Sequence, residues 1–105
     1  MIETPTATIE ASDHLDPSGR IVPSAELLSA AILQALQTSG RVEISLAGLR
    51  GLPSAYFNTV LLGVGTLLGA DALSKRITFL FSTEAQRSIY ARSLEAVQGS
   101  LAHAE

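Results

Sequence analysis

The chain has 105 residues, 47% of them hydrophobic, 16% charged and none cysteine, with a net charge of −3. That size suits one domain of ordinary hydrophobicity, and the composition excludes disorder, disulfides, thiolate metal sites and a cysteine nucleophile. Seven Lys and Arg residues, spread from Arg20 to Arg92, give no basic stripe for a phosphate backbone, so nucleic acid is not an expected partner.

The first sixteen residues carry Glu3, Glu10, Asp13 and Asp16 before the first Arg, the reverse of a secretory leader. With no cysteine either, a cytoplasmic location is expected. Thr6–Ala11 (TATIEA) alternates in part and is rich in β-branched residues, which predicts an edge strand. Asp13–Pro23 gathers the residues that set turns, with Arg20–Val22 able to add a short strand. Pro23-Ser24 then announces a helix in which Ser24 is the expected N-cap, Glu26 lies in the first turn, and Leu28, Ala31, Ile32, Ala35 and Leu36 recur at helical spacing. Ser39-Gly40 is its expected end, with Gly40 in the left-handed conformation.

Val42, Ile44 and Leu46 alternate with Glu43 and Ser45, the period of a strand with one buried face. A glycine-containing loop, Ala47–Pro53, leads to a second helix with Ser54 as cap and Phe57, Val60, Leu61, Val64 and Leu68 as its apolar stripe. This helix is expected to be buried on most sides. It lies in an uncharged stretch, Gly51–Ala70, whose strongly apolar part from Val60 is too short to cross a bilayer, so no membrane span is expected. Gly69 and the following Ala70–Ser74 end it. Ile77–Phe81 is a continuous apolar run that predicts a buried strand. Ser82 or Thr83 is the expected cap of a last helix, with Thr83 and Gln86 at capping-box spacing, and Ile89 or Tyr90, Leu94, Val97 and Leu101 form its stripe. Residues 1–5 and 102–105 are expected to fray.

Strands alternating with helices predict a single α/β domain with a small, mostly parallel sheet of about four strands, a mixed edge and three helices.

No constellation of catalytic residues stands out, and no cofactor is implied. His14 with Asp13 and Asp16 lacks the spacing of a metal motif, and a hydrolytic pairing of Ser54 with His14 lacks a nucleophile elbow. Gly63, Gly65 and Gly69 fall inside or at the end of a helix, where a phosphate loop would precede one, so close packing is their expected role. Arg50 is the more informative residue. It follows the best strand, where open α/β sheets place their binding sites, and a small ligand held at the strand ends near Arg50 is one functional reading.

The segments VEISLAGLRGLPSAYFNTVLLGVGTLLG and KRITFLFSTEAQRSIYARSLEAV resemble STAS-like domains over most of Ile21–Val97. That family includes bacterial anti-anti-sigma factors, which bind histidine-kinase-like ATPases and are switched by phosphorylation of a serine where the loop meets the central helix. The resemblance implies a non-catalytic regulatory domain that presents its 49–58 segment and second helix to a protein partner of that kind. Leu49, Arg50, Ser54, Tyr56 and Asn58 are the implied contact residues. Relatives read Asp-Ser-Ser-Gly where this chain reads Pro53-Ser54-Ala55-Tyr56, with Ala55 at the position of the phosphorylated serine. Ser54 is therefore either the phosphate acceptor or only a helix cap. A homodimer through Tyr90, Leu94 and Val97 is the alternative to those residues covering the sheet.

Ile44→Asp and Phe79→Asp would each place an unpaired carboxylate in the expected core, costing several kcal/mol, comparable to a domain's whole stability. Neither variant should fold. Native-like circular dichroism with a cooperative melt in either one would remove that residue from the core.

Overall fold

The computed structural model describes residues 5–103. Three strands carry the alternation read from the sequence: β1 (Thr6–Glu10), β2 (Arg41–Ser45) and β3 (Ile77–Leu80). All pair in parallel, in the order β1-β2-β3, with Ile9 opposite Ile44 and Ile44 opposite Phe79. Among the described residues the sheet therefore has three strands and no mixed edge, where about four were expected. Four α-helices accompany it: α1 (Ile21–Ala35), α2 (Ser54–Leu68), α3 (Ala70–Lys75) and α4 (Glu84–His103).

Strands adjacent in both sequence and space, joined by right-handed crossovers, bring successive helices back over the same face. Burial follows that rule. Ile9, Val42, Ile44, Ile77 and Phe79 are buried, whereas Thr6, Thr8, Glu10, Arg41, Thr78 and Leu80 on the opposite face are exposed. The apolar run Ile77–Phe81 is thus not buried throughout. Thr78 and Leu80 point away from the helices, and Leu80 is 46% exposed, because no described helix covers that side. Parallel sheets usually have both faces covered; here the open face carries mainly Thr, Glu, Arg and Ser.

The helix boundaries differ from the sequence expectation where tertiary hydrogen bonds replace local ones. Helix α1 begins at Ile21, so Arg20–Val22 forms no strand and Ser24 is not its cap. Ser24 is instead buried in the second turn, its hydroxyl donating to the Arg20 carbonyl at 2.6 Å and accepting from the Asp16 amide at 2.9 Å. Pro23 fits this placement because the first turn of a helix has no use for its missing N–H. At the other end Gly40 is not left-handed, since the glycines with positive φ are Gly19, Gly48, Gly51 and Gly69. The free carbonyls are met from a distance. The Arg76 guanidinium donates to Gly40 at 3.0 Å, Leu36 at 3.2 Å and Ser39 at 3.4 Å, a cationic cap for the C-terminal end.

Helix α2 occupies the middle of the helical layer, with α1 and α4 packed against it. Tyr56, Phe57, Val60, Leu61 and Val64 are wholly buried. Burial on most sides does not hold, however: Leu62, Leu67 and Leu68 are exposed, Leu67 by 71%. Gly69, at φ +94°, ends α2, and the next residues form the separate helix α3. All five aromatic rings of the chain join into one network. Phe57 meets Tyr56, Phe79 and Tyr90 edge-on at centroid distances of 5.6, 5.8 and 5.7 Å, and Tyr90 also contacts Phe81 at 5.3 Å. Such pairs tie α2, β3 and α4 together with more than their buried area. The Tyr90–Leu94–Val97 stripe therefore faces the core, with Val97 buried, and does not form a free dimer surface.

Of the termini expected to fray, residues 1–4 and 104–105 lie outside the described residues. The Pro5 carbonyl accepts from the amides of Gly40 and Arg41, and α4 includes residues 102 and 103. No helix among the described residues is long and apolar enough to cross a membrane.

The two inner glycines of α2 permit close packing, as expected. A Cβ on Gly63 would overlap Ser29 Oγ and lie 3.1 Å from Ser29 Cβ on α1; one on Gly65 would lie 2.6 Å from Leu101 Cδ1 on α4. Gly99, in α4, has open space around it. Gly99→Ala should therefore raise stability by about 0.5–1 kcal/mol, whereas Gly63→Val should lower it by about 1–3 kcal/mol. Urea denaturation of both variants checks this, and equal stability of Gly63→Val and wild type would contradict the α1–α2 packing.

Candidate functional site

The connection from β2 to α2 leaves the carboxyl end of the central strand and is held from both sides. Gly48 and Gly51, at φ +83° and +63°, supply turns that side-chain-bearing residues rarely adopt. Between and beside them Leu49 is half-buried against the core and Leu52 is buried. Arg50, lying between these two anchored leucines, is exposed.

The loop is also fastened to the start of α4. Ser82 donates its hydroxyl to the Leu46 carbonyl at 2.8 Å, and Gln86 donates its amide nitrogen to the Leu49 carbonyl at 2.9 Å. The same Gln86 accepts from the Ser82 amide at 2.8 Å, while its own backbone N–H donates to Thr83 Oγ1 at 3.1 Å. Thr83 thus caps the helix at the expected spacing, while the returning bond of the glutamine side chain goes to the amide of Ser82 and not of Thr83. Gln86 is only 2% exposed, so its side-chain bonds act away from water. Sequence spacing marked Gln86 as a helix cap; its bond to a loop 37 residues earlier had no sequence signal.

Ser54 does not cap α2. It is the first helical residue, Pro53 occupies the cap position, and no side chain satisfies the first amides of the helix. A proline has no side-chain oxygen to offer those amides, and Ser54 lies one residue too late to turn back onto them. Its hydroxyl is exposed and has no hydrogen-bond partner among the described residues. Tyr56 does not reach the surface. It is wholly buried, its hydroxyl has no partner, and burial pushes the phenol up to about 12, so it is a core residue and not a contact residue. Burial also raises the Tyr90 phenol.

Asn58, one turn after Ser54, is half-buried with Oδ1 unpartnered. Ser54 and Asn58 line a pocket of about 400 Å³ together with Ile89, Arg92, Ser93 and Ala96 of α4. Arg50 and Leu49 are not among its walls, so the five sequence-derived residues divide between an outer loop, an inner pocket and the core. Ser93, buried with an unpartnered hydroxyl, and Arg92 were not singled out in the sequence. Their only signal was helical spacing from Ile89, which reads as packing.

His14 follows the short 3₁₀ turn Ala11–Asp13, and Asp16 turns back to bind Ser18 through its carboxylate. The Ser18 hydroxyl lowers the Asp16 carboxyl, against a smaller opposing effect of desolvation. Among the described residues no three of His, Asp and Glu gather closely enough to hold a metal ion.

Compared with protein-family models, curated proteins and solved structures, the chain matches none. Its own geometry is therefore what bears on function.

Gln86→Ala would strand the Ser82 amide and the Leu49 carbonyl, and should cost about 2 kcal/mol. Ser54→Ala should change stability by less than about 0.5 kcal/mol, not the ~1 kcal/mol lost with a true cap. Thermal and chemical denaturation of the two variants measures both; a larger loss in Ser54→Ala than in Gln86→Ala would mean that Ser54, and not Gln86, holds this end of the sheet together.

Proposed function

We propose that this chain is a non-catalytic, STAS-like regulatory domain that binds a protein partner through the Arg50 loop and the outer side of α2. The observation that carries this reading is the braced loop. An exposed cation stands between two anchored leucines, on a turn fastened to α4 by Gln86 and Ser82. A contact group held in place before binding loses little conformational freedom on association, and Arg is favoured among residues that dominate interfaces. The exposed Leu62, Leu67 and Leu68 on α2 supply apolar surface of the sort interfaces use.

The partner class follows from the resemblance: a histidine-kinase-like ATPase. The exposed Ser54 hydroxyl at the uncapped start of α2 is the candidate phosphate acceptor, where added negative charge would suit the helix dipole. Tyr56 is withdrawn from the contact set because it is buried. Leu49, Arg50, Ser54 and Asn58 remain.

Calorimetry against such an ATPase encoded beside this chain tests the reading. Arg50→Ala should alter folding stability by less than about 0.5 kcal/mol and weaken binding at least about tenfold, or ~1.4 kcal/mol. Unchanged affinity in Arg50→Ala would move the interface elsewhere, and no binding to any neighbouring ATPase would remove the partner class.

A further inference from the structure

The β3 edge of the sheet is open and apolar. Val42 N–H donates to the Arg76 carbonyl at 2.8 Å and Leu46 N–H to the Leu80 carbonyl at 3.1 Å, so the even-numbered residues of β3 turn their backbone groups towards β2. By the alternation of a strand, Ile77, Phe79 and, just after β3, Phe81 turn theirs to the outer edge, where no hydrogen bond among the described residues reaches them. Beside this edge lies a groove of about 340 Å³ whose walls include Leu73, Phe79, Phe81, Tyr90 and Leu94. On the helix-free face of the same strand Leu80 is 46% exposed. A proline, a bulge or a charge within the strand normally keeps such an edge from pairing, and Ile77–Phe81 has none of them.

The charges around β3 select what pairs with it. Asp71 and Lys75 precede the strand, Glu84 and Arg87 follow it, and all four are exposed. Read backwards, this order of acid, base, strand, acid, base becomes its opposite. A second copy lying antiparallel therefore sets Asp71 towards Arg87 and Lys75 towards Glu84 at both ends, whereas a parallel copy would set each charge towards its like. Arg87 is held at this edge by the Phe81 ring, 5.4 Å from its guanidinium carbon, and by Glu84 at 3.7 Å. The strand is self-matching too. With Phe79 opposite Phe79, the outward backbone groups of Ile77 meet those of Phe81, and on the open face Thr78 stands opposite Leu80. We propose that this chain forms a two-fold homodimer by antiparallel pairing of β3, joining two three-stranded sheets into one. Tyr90 and Leu94 keep their packing against the core, and the partner strand covers the groove they line.

This inference does not rest on the proposed protein partner, and its test uses the full chain alone. Sedimentation velocity should show a species of two chains at about 100 μM that dissociates on dilution. The chain has no cysteine, so introduced cysteines read the register directly. Directly opposite residues of a non-hydrogen-bonded antiparallel pair have Cα atoms about 4.5 Å apart, within reach of a disulfide. Thr78 and Leu80 are both exposed, so replacing either leaves the core untouched. Oxidation of an equimolar mixture of Thr78→Cys and Leu80→Cys chains should give a linked dimer with one chain of each kind, at least tenfold more than either variant gives alone. Lys75→Glu should weaken association at least about threefold, and Glu84→Lys added to it should restore the original strength. A monomer at every concentration up to about 500 μM would overturn the proposal. So would assemblies larger than two chains, as a head-to-tail contact of β3 with β1 would give, or a dimer that forms no mixed disulfide. Self-linking of Thr78→Cys as strong as that of the mixture, or unchanged association in Lys75→Glu, would overturn it too.

Discussion

Three parallel strands lying side by side in chain order impose a one-sided architecture. Crossovers between parallel strands are right-handed as a rule, which returns each helix to the same face, and the layer built there has to bury the whole apolar side of the sheet. Helix α2 follows the central strand and takes the central place, between α1 and α4. Its glycines and its aromatic first turn follow from that position. Gly63 and Gly65 let two neighbours approach, and Phe57 joins the rings of β3 and α4. The opposite face, left without helices, is tolerable in water because its residues are mostly polar.

The same geometry places the candidate site. The carboxyl ends of all three strands lie together in a parallel sheet, and the β2–α2 connection leaves from the middle one. A loop with two left-handed glycines would ordinarily be adaptable. Here Leu52 is sunk in the core, and Ser82 and Gln86, at the β3–α4 junction, bind the carbonyls of Leu46 and Leu49. One buried amide side chain thus links the end of β3, the start of α4 and the loop that carries Arg50. Rigidity at this point costs no extra residues, because the glutamine that caps α4 also fastens the loop.

A second consequence concerns what α2 leaves incomplete. Its N-terminal amides have no cap because Pro53 holds the position where Ser, Thr, Asp or Asn would normally stand. Beside them α4 contributes Ile89, Arg92, Ser93 and Ala96 to the pocket that Ser54 and Asn58 line. Those last two residues lie on α2, whereas Leu49 and Arg50 lie on the loop outside the pocket.

Element type was legible along most of the chain because period alone separates Val42–Leu46 from the stripes of α1, α2 and α4, and burial rewards each period with one packed face. The close-packing role of Gly63 and Gly65 was legible for a similar reason: a glycine inside an apolar helix has few other uses. Ends of elements were less so. Ser24 and Ser54 both look like caps, yet one is buried in a helix that starts earlier and the other sits just inside α2, since a cap is decided by backbone angles that residue type does not dictate. Composition could not tell that Tyr56 points inward while its neighbours Ser54 and Ala55 face water. Nor could local spacing show that Arg76 would close α1 from 36 residues beyond Gly40, or that Gln86 would hold Leu49. By itself the sequence determined an α/β chain with a glycine-bearing loop after its best strand, because those features depend on near neighbours. Which polar groups meet, and which are buried unpaired, was decided only when distant helices packed on one face of the sheet, because hydrogen bonds depend on distances in space that sequence separation does not encode.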